Sequence, residues 1–217
     1  MNPIYLYNDK QEGNIGINSK DLKKDILRIC NEHRKNNRAR IFAFVLTDFH
    51  TTEANHFVLN SEFWNTLHTL SGHFLTIFHL DFKSEEVNKL FRTGQTEFVK
   101  EQYDNFFKSL NNIFDTDEFD KIKCPAILFF QTEQAEILDF FCQELDSNNL
   151  QNNMYDLKDY IKSAVESVSK LPEENLNNSS EIYQLLKLSV ESKKTKKVWT
   201  SRIMKAVRFY DLLKSLL

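Results

Sequence analysis

Two kinds of hydrophobic pattern alternate along the first two thirds of the chain. Stretches in which apolar residues recur every three or four positions are followed by short, uninterrupted apolar runs. The first kind is typical of helices that bury one face, and the second is typical of strands that are buried on both faces. This order predicts an α/β protein in which helices cover both faces of a central sheet, that is, a three-layer domain.

The first two strong strands enclose a helix. ARIFAFVLTD and HFLTIFHLD are continuous apolar runs, and NSEFWNTLHTLSG between them begins with capping residues and ends at Gly72. Ahead of this unit, SKDLKKDILRICNEHRKNN predicts another helix behind a capping Ser19. Its apolar face consists of Leu22, Ile26, Ile29 and Cys30. Because parallel strands need a crossover of this kind, the pattern predicts a mostly parallel central sheet.

The next stretch repeats this pattern and then changes it. A helix is predicted from about Gln95 to Phe114, and the acidic loop DTDEFDKIK leads from it into PAILFF, a third strong strand. After a turn, AEILDFF predicts a short strand, and a further helix is expected to carry Cys142 on its apolar face. Cys30 and Cys142 are therefore both expected in the core.

Beyond Asp146 no further strand is predicted. A polar break, SNNLQNN, precedes two seams of apolar residues spaced three or four apart, with a weaker helix near Ile182 to Val190 between them. The first seam is Leu150, Met154, Leu157, Ile161, Ala164, Val168 and Leu171, and the second is Trp199, Ile203, Ala206, Tyr210, Leu213 and Leu217. We predict an α/β domain over 1–146 and an all-helical C-terminal section over 147–217, which ends in a basic amphipathic helix.

Composition narrows the class of protein. Hydrophobic residues make up 41% of the 217, and 19 are phenylalanine, which excludes a disordered chain. No apolar stretch reaches the roughly 20 residues of a membrane span, and the first residues do not resemble a signal peptide. Three cysteines without a CxxC motif fit a reducing compartment. These features predict a soluble, non-secreted, cytoplasmic protein without a transmembrane segment.

Charge is unevenly distributed along the chain. Residues 193–217 carry eight basic side chains and one acidic side chain, a net charge of +7, whereas the rest carries 20 basic and 30 acidic residues, a net charge of -10. An acidic protein surface, on a second copy or on another protein, is therefore the preferred partner of this segment. Nucleic acid or an anionic membrane is a less favoured alternative. The candidate partner-binding residues are Trp199, Arg202, Ile203, Arg208, Tyr210 and Leu213.

The order of predicted elements resembles the thioredoxin-like fold. The short apolar run from Ile4 to Tyr7 stands for the first strand of this order. Helix, strand, helix, strand and helix follow it, then Pro125, which opens PAILFF, and then a turn, an edge strand and a helix. The resemblance implies that Pro125 is a cis-proline facing the loop after the second strand, where this superfamily carries its CxxC motif. That loop reads LTDFHTTEANHF here and contains no cysteine, so the domain is expected to be redox-silent. A Rossmann-like three-layer domain is the competing fold.

Two groups of residues could carry chemistry. Asp48 and His50 follow the first strong strand, and His79 and Asp81 end the next one, so the C-terminal ends of adjacent strands would bring them to one crevice. An imidazole beside a carboxylate can act as a general base. Cys124 precedes Pro125, and Lys121 and Lys123 nearby could favour its thiolate.

The sequence contains no Gly-rich phosphate loop, no GxSxG elbow and no HExxH helix. We therefore predict no cofactor and no metal site. The leading hypothesis is a non-catalytic protein-interaction or assembly subunit, in which the C-terminal helices mediate self-association or dock onto a partner. The alternative is an enzyme that uses the Asp and His residues at the strand ends, with or without Cys124.

Overall fold

The computed structural model describes residues 2–5, 15–16, 22–47, 61–81, 96–133, 136–145 and 150–195. The strands are β1 (Asn2–Tyr5), β2 (Ile15–Gly16), β3 (Ile41–Leu46), β4 (Leu75–Asp81), β5 (Ala126–Glu133) and β6 (Glu136–Glu144). The helices are α1 (Leu22–Lys35), α2 (Ser61–Ser71), α3 (Thr96–Phe114), α4 (Leu150–Ser169) and α5 (179–195). Within these ranges, no helix has both the length and the apolar character that a membrane crossing requires.

The six strands form one mixed sheet in the order β2-β1-β4-β3-β5-β6. β3 and β4 pair in parallel around α2, and β1 pairs in parallel with β4 and with β2. The α/β class and the βαβ unit are thus confirmed, but the prediction of a mostly parallel sheet is wrong. β5 runs antiparallel to β3, because the chain enters it beside the end of β3, where Ala126 pairs with Leu46.

β6 completes an antiparallel hairpin with β5 along nearly its whole length. Cys142 belongs to this strand and lies opposite Leu128, so the prediction that it lies in a helix is wrong. A short apolar cluster such as Phe140, Phe141 and Cys142 fits either periodicity, and pairing with the preceding strand β5 decides in favour of the strand. The peptide bond between Cys124 and Pro125 is cis, the isomer that the resemblance implies at this position.

One face of the sheet, here named the phenylalanine face, is covered by α1 and α3. Phe44 is completely buried there, and its ring stacks on Phe78 at 5.1 Å and on Phe130 at 5.3 Å between centroids. Phe106 and Phe114 of α3 meet Phe44 edge-on, each at 6.2 Å. Offset and edge-on aromatic pairs add to the burial of their large apolar surfaces. This face is therefore an aromatic core.

The opposite face, here named the helical face, is covered by α2 and by the two C-terminal helices. α4 packs against α2, and the ring of Tyr183 in α5 meets Phe141 of β6 at 5.8 Å. The buried seam residues of α4 and α5 belong to the same hydrophobic core as the sheet: Leu157, Ile161, Ala164, Val168, Ile182, Leu186 and Val190. The helical section is thus joined to the sheet by a continuous core as far as the end of α5.

Local signals in the sequence account for several boundaries. α2 ends at Ser71, and Gly72 follows with a φ of +52°, the left-handed conformation in which glycine carries no Cβ penalty. α1 buries the four residues predicted for its apolar face. The last strand ends at Glu144 and α4 begins at Leu150, and the division into two domains near residue 146 stays a prediction.

Candidate functional site

The end of the sheet that carries His79 and Cys124 is the predicted reactive end. β3 stops at Leu46, followed by buried Thr47, and the predicted residues Asp48 and His50 lie outside the described residues. Asp81 ends β4, where its backbone pairs with Tyr5, but its side chain is not among those described. His79 and Cys124 are therefore the predicted catalytic residues whose side chains can be placed.

His79 lies on the helical face of the sheet. Its ring stacks on the indole of Trp64 in α2, with centroids 4.3 Å apart and an interplanar angle of 21°. Its Nδ1 is 3.1 Å from the backbone oxygen of Leu80, so the tautomer with a proton on Nδ1 donates to that carbonyl. Stacking and this hydrogen bond together hold the imidazole in one orientation and leave Nε2 as its acceptor nitrogen.

Cys124 is half-buried on the phenylalanine face. The hydroxyl of Tyr103 in α3 donates a hydrogen bond to its Sγ over 3.2 Å, and the Tyr103 ring packs on Phe107 with centroids 4.8 Å apart. A donor aimed at a sulfur stabilises the thiolate relative to the thiol. Tyr103 is the residue that sequence reasoning missed, because a hydroxyl 21 positions away gives no spacing signal.

The structure does not join His79 and Cys124 in one cluster. Phe78 points to the phenylalanine face, where it stacks on Phe44, so its neighbour His79 points to the other side of the sheet. The predicted site with Cys124 beside the histidine and carboxylate groups is thus not formed by these two residues, and the predicted pairing of His79 with a carboxylate stays a prediction. Within the described part of the chain, no group of three metal-ligating side chains is found either.

Burial affects the thiols of the other two cysteines, although only Cys30 is fully buried and Cys142 is half-buried like Cys124. Cys30 is completely buried in α1, and burial raises the pKa of its thiol well above the ordinary value. Burial, followed by the charges of Cys124 and Glu144, raises the pKa of Cys142 to about 12. Cys142 also lies opposite Leu128, four residues along the ladder from Cys124, which is too far for a disulfide between them.

The loop that carries Cys124 is tied to the end of β6. The backbone N–H of Lys123 donates to the Glu144 carboxylate at 3.0 Å, and the N–H of Leu145 donates to the Pro125 carbonyl at 2.9 Å. These two bonds flank the cysteine on the chain and fix the backbone before β5. The ammonium groups of Lys121 and Lys123, predicted to assist the thiol, form no ion pair with a carboxylate among the described residues.

Arg34 forms the most extended polar network, and it lies beside Arg40, where β3 begins. Its guanidinium donates to the hydroxyl of Ser179 in α5 and, at 2.9 Å, to Oε1 of Gln131 in β5. Gln131 in turn donates to the backbone oxygen of Arg40 at 2.7 Å. Burial, and next the charge of Arg40, lower the pKa of Arg34. Arg34 thus connects α1 on the phenylalanine face with α5 on the helical face.

The predicted partner-binding residues lie outside the described residues, which end at residue 195. These residues are Trp199, Arg202, Ile203, Arg208, Tyr210 and Leu213. Lys193 and Lys194, where the basic segment begins, are exposed on the last turn of α5. Association with protein, nucleic acid or membrane through this segment stays a prediction.

Comparison with known proteins gives no match, whether against protein-family models, curated proteins or solved structures.

Proposed function

We propose that this chain is a non-catalytic protein-interaction or assembly subunit. In this proposal a redox-silent, thioredoxin-like domain carries a helical section whose basic end docks onto a second copy or onto another protein. The observation that carries it is the anchoring of α5, which presents the start of the basic segment on a helix packed into the core.

The order of elements supports the thioredoxin-like part. β1, α1, β3, α2, β4 and α3 precede Pro125, which stands directly before β5, and the edge strand β6 and a helix follow. The loop after β3 contains no cysteine between Leu46 and Phe57, so a CxxC redox centre cannot exist there. Such a domain retains a scaffold without the dithiol chemistry of the superfamily that it resembles.

The packing of the C-terminal helices supports the interaction part. The seams of α4 and α5 are used inside the molecule, so they are not available to a partner. α5 is held at Ser179 by Arg34, at Tyr183 by Phe141 and at Ser189 by a hydrogen bond to the Ser163 carbonyl. The second apolar seam, from Trp199 to Leu217, follows this fixed helix in sequence. The net charge of +7 over residues 193–217 complements an acidic surface such as the body of another copy.

Molar mass in solution tests this proposal. The full chain and a chain that ends at Thr195 are compared by light scattering after size exclusion, since the shorter chain retains every described helix and strand. We expect the full chain to exceed its single-chain mass of 25.7 kDa and the shorter one to equal its own. The double variant Trp199→Glu/Ile203→Glu should lose association, whereas Ser201→Glu/Ser215→Glu adds the same charge between seam positions and should retain it.

A partner other than the chain itself is tested with the same variants. If the full chain stays at its single-chain mass, proteins captured by it are identified, and their binding is measured with the purified components. Loss of that binding in the seam variant but not in its control supports docking through the segment. The proposal is contradicted if each of the four chains has its own single-chain mass and all four bind the captured proteins equally.

A second candidate function is thiol chemistry at Cys124, and the hydrogen bond from Tyr103 favours it. Cys30 is completely buried, and burial raises the pKa of the half-buried Cys142 to about 12, so alkylation by iodoacetamide should modify the half-buried Cys124 faster than either. The variant Tyr103→Phe removes the donor and should slow that reaction, because a thiolate that lacks a hydrogen bond is less populated. Phe107 neighbours Tyr103 but carries no donor, so Phe107→Leu is the control. An unchanged rate in Tyr103→Phe removes this candidate.

A further inference from the structure

A surface pocket of about 310 Å³ lies between α4 and α5. Serines from both helices line it, Ser163 and Ser167 from α4 and Ser189 from α5. Helices pack closely when larger side chains interdigitate, and small residues at facing positions leave a gap that no side chain fills. The hydroxyl of Ser189 donates to the Ser163 carbonyl at 3.1 Å, which ties the two helices together at the pocket.

Two lysine side chains contribute positive charge to the pocket. Lys170 follows the end of α4 and Lys193 lies on the last described turn of α5, and both line the pocket and are exposed. Within the described ranges, neither ammonium group forms an ion pair. Glu166 also lines the pocket, but Lys162 one turn earlier approaches its carboxylate at 3.8 Å. Two cationic groups therefore flank a cavity to which four serines and the Glu166 carboxylate also contribute.

We propose that this pocket binds the phosphate group of a small, hydroxyl-rich phosphate monoester. A phosphate dianion matches two ammonium groups, which act on it as point charges with rotatable donors. The pocket volume lies at the lower end of the range for small-molecule sites, about 300–1,000 Å³, so it has room for more than the phosphate itself. Serine hydroxyls can exchange hydrogen bonds with the hydroxyl groups of the remaining part of the ligand.

A purely structural role for the two lysines makes a different prediction. Both lie at the C-terminal ends of helices, where a positive charge interacts favourably with the last carbonyl groups. In that case their removal would lower the stability of the free protein, and phosphate would have no effect beyond that of ionic strength. The two readings differ in whether a saturable, phosphate-dependent signal exists.

Titration of the full chain with inorganic phosphate, glycerol 3-phosphate and glycerol tests the proposal. Binding is measured by calorimetry and by the melting temperature, with sodium chloride adjusted to hold the ionic strength constant. We expect both phosphates to bind saturably, the glycerol ester more tightly, and glycerol not at all. Lys170→Gln/Lys193→Gln should weaken binding at least about tenfold, since each lost charge-assisted hydrogen bond is worth that much or more.

Two further variants make the result specific to the pocket. Lys187→Gln/Lys194→Gln removes the same charge from α5 at positions that do not line the pocket, and it should bind like the original chain. Ser167→Leu keeps the charge but fills the cavity, and it should lose the glycerol ester. Binding that equals that of chloride at the same ionic strength overturns the proposal. So does equal binding by the Lys170/Lys193 variant, or equal weakening by the Lys187/Lys194 control.

Discussion

The two faces of the sheet are buried in different ways. On the phenylalanine face, rings from β3, β4, β5 and α3 contact one another directly, and Phe44 alone meets four of them. On the helical face, α4 and α5 arrive from the last third of the chain and bring polar groups with them. Asn153 and Ser163 are buried there. Burial raises the pKa of the Tyr183 hydroxyl, and the nearby charge of Asp139 raises it further.

This difference assigns different roles to the two faces. Close-packed aromatic rings tolerate no change of volume, so the phenylalanine face contributes mainly stability. The helical face is assembled from α2, α4 and α5, and it carries the stacked His79, the serine-lined pocket and the start of the basic segment. The candidate functions are concentrated on the side where the sheet is covered by helices distant in sequence. Cys124, on the phenylalanine face, is the exception.

The largest effect should come from removing α4 and α5. A chain that ends near Asp146 loses the buried seams of both helices and the cover that Tyr183 gives Phe141 and Lys158 gives Phe63 on the helical face. Each fully buried aliphatic or aromatic side chain contributes about 1.5–3 kcal/mol, and a domain has only about 5–15 kcal/mol in total. We expect this chain to show no cooperative thermal transition and to bind a hydrophobic dye, measured beside the chain ending at Thr195. A cooperative transition in the shorter chain would mean that residues 1–146 fold independently.

Phe44→Ala tests the phenylalanine face alone. The side chain is completely buried among four other rings, so its loss leaves a cavity. We expect the free energy of unfolding to fall by about 3–5 kcal/mol in urea titrations. Leu188→Ala is the control, because Leu188 is 62% exposed and its loss should cost no more than about 0.5 kcal/mol. Similar losses for both variants would contradict the comparison between a packed core and an open surface.

The sequence predicts the local part of this architecture well. The apolar face of α1, the glycine after α2 and the βαβ unit all follow from residues close to one another in the chain. Their signals are local because helix periodicity and capping depend on neighbours within a few positions. The direction of β5, by contrast, could not be predicted from local signals. PAILFF reads as a buried strand in either orientation, and its pairing with β3 is fixed by contacts across about eighty positions.

The candidate site shows the same limit. The hydrogen bond from Tyr103 to Cys124 spans 21 positions, and the bonds from Arg34 span 97 to Gln131 and 145 to Ser179. No periodicity relates residues at such separations, so the network at Arg34 could not be predicted. The charge of the last segment, by contrast, is read directly from composition. Its partner depends on a surface beyond this segment, which its sequence alone does not specify.

Arg34→Met tests the connection between the two faces. The change removes both donors, so the Ser179 hydroxyl and the Gln131 amide oxygen lose a charged partner in a partly buried setting. We expect a loss of about 1–3 kcal/mol in unfolding free energy and faster amide hydrogen exchange in α5. Arg28→Met is the control on the same helix, since Arg28 forms only exposed ion pairs with Asp25 and Glu32, worth about 1 kcal/mol or less. Unchanged exchange in α5 would show that Arg34 does not hold that helix.

The smallest effect should be a pH dependence carried by His33 on the phenylalanine face. Its Nδ1 lies 2.7 Å from Oγ1 of Thr76, and burial, followed by the charge of Arg38, lowers the pKa of the imidazole. Above the unfolded pKa of about 6.5 both states are neutral and the stabilising effect of this histidine is complete. As the pH falls below that value, the unfolded chain takes up a proton that the folded chain does not, so stability declines. His33→Gln should flatten the fall in unfolding free energy just below pH 6.5. A slope that is equal in the variant and the original chain would assign the pH dependence to other groups.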